Sequence, residues 1–203
     1  RPAGGDDRRM FLTEPEMSPE TAALYDHDVA DRGWVMNLTH AWAWRPDLFD
    51  SFVGTRSLSV AGTGLTDRDV AVLVAATASA RGDSYCSLAW GAKLAELSSP
   101  ESAAGVLGGA SPEGLSEREH ALADWARHAV TDPSTTTAEE VQRLRDAGLD
   151  DRDIFSATVF LAMRLAFSTV NNALGVLPDA QLRADAPAPV ADVVAYGRPA
   201  GTA

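Results

Sequence analysis

A short pattern recurs three times in this sequence, and each copy is typical of a helix beginning. It consists of a leucine, then Thr, Ser or Asp, then acidic residues around an arginine, and a run of apolar residues with helical spacing follows it. The copies are Leu65-Thr66-Asp67-Arg68-Asp69, Leu115-Ser116-Glu117-Arg118-Glu119 and Leu149-Asp150-Asp151-Arg152-Asp153. The residue after each leucine is of a type that caps helices, and acids in a first turn are favoured by the helix dipole. Because no stretch of useful length alternates apolar and polar residues, the sequence predicts an all-α protein.

Other local signals predict further helices. Ser18 followed by proline is typical of a helix start, and we expect this helix to run to about Asp31. A shorter helix is predicted over residues 47–53. Residues 100–114 are rich in glycine, alanine and serine, and we expect them to form the one long connection.

The 203 residues are predicted to form one domain with two extensions. Residues 1–16 are polar and contain proline and glycine, and we expect a flexible N-terminal arm. Residues 17–180 are predicted to form a single helical domain. Residues 181–203 become rich in alanine and proline, and we expect a tail that is mobile or wraps on a partner.

The charge and hydropathy of the chain exclude some classes of protein. A formal net charge of −12 argues against nucleic-acid binding, because nothing would offset repulsion by the phosphates. The longest apolar run, residues 154–170, contains Arg164, so we expect a buried helix and no membrane association. With no apolar leader at the N-terminus, we expect a cytoplasmic protein.

The only cysteine lies within an apolar, alanine-rich stretch, residues 71–97. One helix is predicted to end at Arg81-Gly82, and the next is predicted to carry Cys86 in its first turn. A helix N-terminus lowers the pKa of a thiol, whereas the nearby carboxylate of Asp83 raises it. One cysteine allows no intramolecular disulfide and no thiol exchange within the chain.

This layout resembles the central helix pair of the alkylhydroperoxidase D (AhpD)-like and carboxymuconolactone decarboxylase superfamily. Redox members carry Cys-x-x-Cys-x-x-x-His at this point, and those three residues fall on Asp83, Cys86 and Trp90. A glutamate that the family uses in proton relay falls on Ala71. The resemblance covers about residues 18–180. It implies an AhpD-like helical bundle that assembles into a homo-oligomer, as a dimer, trimer or hexamer.

Three residues are candidates for catalysis. Asp83 is either the N-cap of the second helix or a general acid or base in a pocket. Cys86 is either a buried small apolar residue or a lone reactive thiol. His40 lies in the segment that lines the pocket in proteins of the resembling family, and it is either a replacement base or an exposed or capping histidine. No histidine spacing indicates a metal site, and no cofactor is predicted.

Aromatic and polar residues around the motif are candidates for substrate binding. Trp90 shares a helical face with Cys86 and is either core packing or an aromatic wall, since its N–H is a donor only. Arg164 stands alone in an apolar helix and needs a partner, which is either Asp83 or a substrate carboxylate. The candidate binding residues are Trp90, Tyr85, Arg164, Trp34, Trp42 and Asn37.

Three functions remain open at this point. The first is a cofactor-free lyase, decarboxylase or isomerase acting on a small, partly apolar or carboxylated molecule. The second is an alkylhydroperoxidase-like enzyme with one cysteine, for which an external thiol supplies the electrons. The third is a binding or structural protein without catalysis.

Overall fold

The computed structural model describes residues 9–201 and contains eleven α-helices, one short 3-10 turn and no strand within that range. The prediction of an all-α protein is therefore confirmed. The helices are α1 (Pro19–Arg32), α2 (Asn37–Trp42), α3 (Pro46–Val60), α4 (Asp67–Ala80), α5 (Ser84–Leu97), α6 (Pro100–Leu107), α7 (Glu117–Thr131), α8 (Ala138–Asp146), α9 (Asp151–Ala173), α10 (Ala180–Asp185) and α11 (Ala188–Val193).

The recurring pattern begins α4, α7 and α9, as the sequence predicts. In each case the residue before the helix caps it: Thr66, Ser116 and Asp150 accept a hydrogen bond from a backbone N–H in the first turn. In α4 and α7 the side chain of the third helical residue also accepts a hydrogen bond from the backbone N–H of the capping residue, which completes a capping box.

Helix α4 lies at the centre of the molecule. Residues 71–78 of this helix are all buried, and it packs against α5, α6, α7 and α9. Small alanine side chains at four of these positions allow the neighbouring helices to approach closely on several sides. Helix α5, which carries Cys86, therefore starts from the most buried part of the fold.

Two predictions about where helices lie were wrong. Residues 100–114 were expected to form a connection, but α6 occupies their first half because Ser99 caps it and Ala103 and Val106 are buried. The prediction for residues 47–53 stopped too early, since α3 continues to Val60 through a glycine that an exposed helix tolerates.

The described parts of both extensions contact the folded body. The backbone N–H of Phe11 donates to the carbonyl of Leu174, and Met10 is buried. Helices α10 and α11 pack against α5, and Val190 and Val194 are buried. Residues 1–8 of the predicted arm and residues 202–203 of the predicted tail lie outside the described range, and the division into arm, domain and tail stays a prediction.

Helix α9 has the length and apolar composition of a membrane span, as the only such helix among residues 9–201. Phe160, Leu161 and Phe167 on this helix are nevertheless buried against the rest of the protein. It packs against α3, α4 and α7, as a core helix does.

Candidate functional site

The turn between α4 and α5 places Cys86 in the interior. Gly82 adopts a φ of 64°, a left-handed conformation that glycine takes without strain, and this reverses the chain. The backbone N–H of Asp83 then donates to the carbonyl of Ala78 at 2.9 Å. Helix α5 begins at the next residue, so Cys86 lies in its first turn with 3% of its surface exposed.

Asp83 is the N-cap of α5, which is one of the two roles that the sequence left open. Its Oδ1 accepts a hydrogen bond from the backbone N–H of Cys86 at 3.0 Å. Its Oδ2 accepts a second hydrogen bond, of 2.5 Å, from the hydroxyl of Ser168 on α9. The residue is 1% exposed, so both carboxylate oxygens are engaged by the protein itself.

The thiol of Cys86 has three polar neighbours. An Nη2 hydrogen of Arg164 points at its Sγ with 3.4 Å between the heavy atoms, and the Ser168 hydroxyl lies 3.9 Å from the same sulfur. Burial, and next the negative charge of Asp83, raise the pKa of Cys86 to about 12, against opposing contributions from Arg164 and Ser168. The thiol therefore keeps its proton at neutral pH.

Arg164 does not form a salt bridge with Asp83, which was one of the two partners that the sequence left open. Among residues 9–201 no carboxylate forms an ion pair with it, although only 4% of its surface is exposed. Its guanidinium instead lies over two aromatic rings, 5.2 Å from the centroid of Trp90 and 5.4 Å from that of Phe167. Such cation–π contacts stabilise a desolvated guanidinium only in part.

A second arginine approaches the same place from α3. Arg56 is half-buried, and its guanidinium lies 5.4 Å from the centroid of Phe167. Burial, and next the positive charge of Arg164, lower the pKa of Arg56 to about 10. Arg56 was not among the predicted site residues, because the helix predicted over residues 47–53 ended before it.

An aromatic cluster closes the site beside Phe167. Trp42 stacks on Phe167 with 5.3 Å between ring centroids, and Phe49 and Phe52 of α3 lie within 5.4 Å of Trp42. The indole N–H of Trp42 donates to the side-chain oxygen of Asn171 at 2.9 Å. Trp42 therefore supports the ring that Arg164 and Arg56 share.

Tyr85 and Asn37 belong to a different polar cluster. The Tyr85 hydroxyl donates to Oδ2 of Asp179, and the backbone N–H of Asn37 donates to Oδ1 of the same carboxylate at 2.9 Å. Burial raises the pKa of Asp179, and burial followed by the charge of Asp179 raises the pKa of Tyr85 well above its usual value. This cluster ties α2 and α5 to the start of α10.

His40 and Trp34 make no contact with Asp83 or Cys86. The Nδ1 atom of His40 lies 2.7 Å from Oε2 of Glu14, and its ring packs on Tyr25 with 4.8 Å between centroids. Trp34 is half-buried, and its buried Nε1 has no hydrogen-bond partner among the described residues.

Comparisons with known proteins identify the fold. No protein-family model matches the chain, and no curated protein matches it. It is similar to the solved structure of a peroxidase-related protein from Ralstonia eutropha JMP134, described as an alkylhydroperoxidase AhpD core. The TM-score is 0.73 and the identity 22%, covering 86% of this chain and 95% of that chain. The chain has the AhpD-like fold.

Two further AhpD-like neighbours show the range of proteins that resemble it. A peroxidase-related protein from Silicibacter sp. TM1040 has a TM-score of 0.74 and 21% identity, covering 86% of this chain and 94% of that one. The debrominase Bmp8 in its apo form has a TM-score of 0.71 and 16% identity, covering 90% and 97%. The neighbours of this AhpD-like chain thus include an enzyme.

The site of this AhpD-like chain combines residues of α5 and α9. Among the predicted site residues, Asp83, Cys86, Trp90 and Arg164 come together, whereas His40 and Trp34 do not contact them. Ser168 was missed, since a serine in an apolar helix carries no signal of its own. Within residues 9–201, no group of three or more His, Cys, Asp or Glu side chains is placed to hold a metal ion.

A cavity of about 640 Å³ lies on the other side of the α5 start. The residues that line it come mainly from α10 and the segment after α11, with Ser84 and Leu88 of α5. Tyr196 of that segment donates to the hydroxyl of Ser87 at 3.0 Å, and Ser84 donates to the carbonyl of Arg198 at 2.7 Å. The C-terminal segment therefore covers the N-terminus of α5.

Proposed function

We propose that this chain is a cofactor-free enzyme of the lyase, decarboxylase or isomerase type, in which the thiol of Cys86 donates a proton to a carbon atom of a small, partly apolar or carboxylated molecule. The observation that carries the proposal is the placement of the buried Cys86 thiol, between the carboxylate of Asp83 and the guanidinium of Arg164, which has no carboxylate partner among the described residues.

The protonation state of Cys86 favours an acid over a nucleophile. With a pKa of about 12, only about one thiol in 10⁵ is ionised at pH 7, so attack by a thiolate would be rare. A protonated thiol is ready to act as a general acid toward a strongly basic carbanion or enolate. Arg164 then stabilises the thiolate that remains, because its Nη2 lies 3.4 Å from the sulfur.

The proton balance of a decarboxylation is simple. The bond between the carboxylate and the adjoining carbon breaks, carbon dioxide leaves, and the electron pair stays on carbon. The thiol of Cys86 gives its proton to that carbon, and the thiolate regains a proton from water.

Asp83 acts in this scheme by position and charge. Its carboxylate holds Cys86 at the start of α5 and accepts the hydrogen bond from Ser168. Because its negative charge raises the pKa of the thiol, it helps to keep the proton on sulfur until the reaction needs it.

The aromatic surroundings support a flat ligand. The Arg164 guanidinium lies over the rings of both Trp90 and Phe167. Among the structural neighbours, a variant of the debrominase Bmp8 is solved in complex with 2,3,4-tribromopyrrole, which is a small flat ring; this neighbour has a TM-score of 0.70 and 16% identity. We infer that the site of this chain takes a ligand of similar size and flatness.

A one-cysteine peroxidase is the second candidate, and the contact between Arg164 and the sulfur favours it. A guanidinium beside a thiol stabilises the thiolate that would attack a hydroperoxide. The thiolate would take one peroxide oxygen and become a sulfenic acid while the alcohol leaves. Two molecules of an external thiol would then restore Cys86, giving a disulfide and water.

A carbon–deuterium exchange experiment tests the first candidate. The protein and its Cys86→Ser variant are incubated in D₂O with a panel of small aryl-substituted carboxylic acids, and NMR follows deuterium on carbon and loss of the carboxyl group. We expect deuterium incorporation or decarboxylation with the native protein, and a rate at least about a hundredfold lower with the variant. Incorporation that survives in Cys86→Ser and Cys86→Ala would overturn the assignment of the thiol.

Peroxide challenge separates the second candidate from the first. Intact mass after treatment with cumene hydroperoxide, together with peroxide consumption in the presence of dithiothreitol, reports on a sulfenic acid cycle. Rapid, recyclable oxidation of Cys86 would replace the proton-donor role by peroxidase chemistry. Inertness in both experiments would leave a binding or structural protein.

A further inference from the structure

Two guanidinium groups share one aromatic ring at the site. The Cζ atoms of Arg56 and Arg164 each lie 5.4 Å from the centroid of Phe167, and Arg164 also covers Trp90. The two cations are close enough that the charge of Arg164 lowers the pKa of Arg56. Two like charges repel each other more strongly where burial removes water.

The two arginines lack the carboxylate partners that other arginines of the chain have. Neither forms an ion pair or a hydrogen bond to an acidic side chain within residues 9–201. The chain has 29 acidic and 17 basic residues, so acids are in excess. The arginines that do have such partners are Arg9, Arg32, Arg45, Arg68, Arg118, Arg127, Arg143 and Arg145.

Arg164 also keeps a donor unused. Its Nε is buried and has no hydrogen-bond partner among the described residues, while its Nη2 is directed to Cys86. A buried charge without a counter-ion and a buried donor without an acceptor both cost free energy. A carboxylate between the two arginines would supply the counter-charge and the acceptors at once, since guanidinium groups bind carboxylates in a planar fork.

We infer that Arg56 and Arg164 together bind one carboxylate group of a small flat ligand, and that the half-buried ring of Trp90 contacts its apolar body. This inference rests on the proposed function, because it names the substrate class of the same site: an aromatic or conjugated monocarboxylate. Bound in this way, the ligand lies next to the sulfur of Cys86, which Arg164 already contacts.

The ligand enters from the side of α3. Arg56 and Trp90 are half-buried, whereas Arg164, Phe167 and Cys86 are buried behind them. Helix α3 itself is held to the core by the half-buried rings of Phe49 and Phe52.

Benzoate is the probe for a binding test, and benzamide is its neutral control of the same shape. Isothermal calorimetry measures both with the native protein, with Arg56→Gln and with Arg183→Gln. Arg183 on α10 is exposed, donates to the carbonyl of Val194 and lines the separate cavity of about 640 Å³, so its variant removes one positive charge there and shows whether benzoate binds in that cavity instead. We expect Arg56→Gln to weaken the binding of benzoate about tenfold or more, and Arg183→Gln to change the benzoate affinity less than about twofold. Benzamide should bind the native protein at least about tenfold more weakly than benzoate.

Stability without ligand gives an independent readout. Because Arg56→Gln removes a repelling charge, we expect its midpoint of urea unfolding to equal or exceed that of the native protein. Lower benzoate affinity together with unchanged or higher stability is the signature of a binding residue. Failure of the native protein to prefer benzoate over benzamide, or equal benzoate affinity in Arg56→Gln, would overturn the inference.

The variant Cys86→Ser separates this inference from the proposed function. It keeps both arginines, so we expect benzoate to bind it within about threefold of the native affinity. Benzoate binding without any proton transfer in the exchange experiment would refute the role of the thiol and leave the carboxylate site standing. Proton transfer by a protein that does not bind benzoate would do the reverse.

Discussion

Replacement of Asp83 by alanine tests whether this carboxylate holds the site together. The change removes the cap of α5, which is worth about 1 kcal/mol. It also leaves the hydroxyl of Ser168 without its partner in a buried place, which costs about 1–3 kcal/mol more. We therefore expect Asp83→Ala to lower the free energy of unfolding by about 2–4 kcal/mol.

Asp150 provides the matched control. It caps α9 through the same kind of hydrogen bond, 2.8 Å from the backbone N–H of Asp153, but it is exposed and has no further buried partner. We expect Asp150→Ala to cost only about 1 kcal/mol. Asp83→Asn keeps an oxygen for the cap and polar atoms toward Ser168, so it should lie nearer the native protein than Asp83→Ala.

Urea unfolding followed by circular dichroism at 222 nm measures all three variants. Equal losses for Asp83→Ala and Asp150→Ala would refute the structural argument, because it requires the buried contact with Ser168 to add to the cap. An Asp83→Asn protein that is stable, binds benzoate and yet has lost all proton transfer would show that the negative charge at Asp83 serves the reaction itself.

Three further perturbations follow from the same structure. Burial raises the pKa of Cys86 to about 12, whereas the thiol of the unfolded chain has a pKa near 9. Relative to Cys86→Ala, the native protein should therefore lose about 1 kcal/mol of stability between pH 9 and pH 10. Urea unfolding of both proteins at these two pH values measures the difference, and equal losses would contradict the raised pKa. Gly197→Ala should lower the free energy of unfolding by more than about 2 kcal/mol, because the added Cβ would lie 2.5 Å from a backbone oxygen. Gly33→Ala, which has a similar φ and open space around it, should lower it by about 1 kcal/mol. Equal losses in urea unfolding would refute the packing of the C-terminal segment. Tyr85→Phe should lower the free energy of unfolding by about 1–3 kcal/mol at pH 7, because it leaves a buried carboxylate oxygen of Asp179 without its donor. Unchanged stability in urea would show that this hydrogen bond does not stabilise the fold.

The sequence predicted the features that depend on neighbouring residues. The cap at Asp83, the turn at Gly82 and the helix starts at Thr66, Ser116 and Asp150 each follow from side chains within about four positions, and the structure has them all. Such signals act locally, so they do not depend on how the helices later pack.

The pairing of Arg56 with Arg164 could not be predicted from the sequence, because it depends on how two distant helices pack. These residues lie on helices far apart in sequence, and no local signal in α3 indicates that Arg56 faces α9. Arg164 itself was noticed, because a cation in an apolar helix demands a partner. The partner that the sequence suggested, Asp83, is instead engaged by Ser168, which stands one turn after Arg164 on the same face of α9.

The geometry explains how one thiol can both keep and release its proton. Asp83 favours the protonated thiol and Arg164 favours the thiolate, and at rest burial tips the balance toward the protonated form. A carboxylate bound to Arg164 offsets its positive charge, which raises the proton affinity of Cys86 further and protects the thiol while substrate binds. In the proposed decarboxylation, the negative charge moves to carbon when carbon dioxide departs, and the charge of Arg164 is then no longer neutralised by a carboxylate. The thiol would become more acidic as the carbanion forms, so the arginine proposed to bind the substrate would also promote the proton transfer.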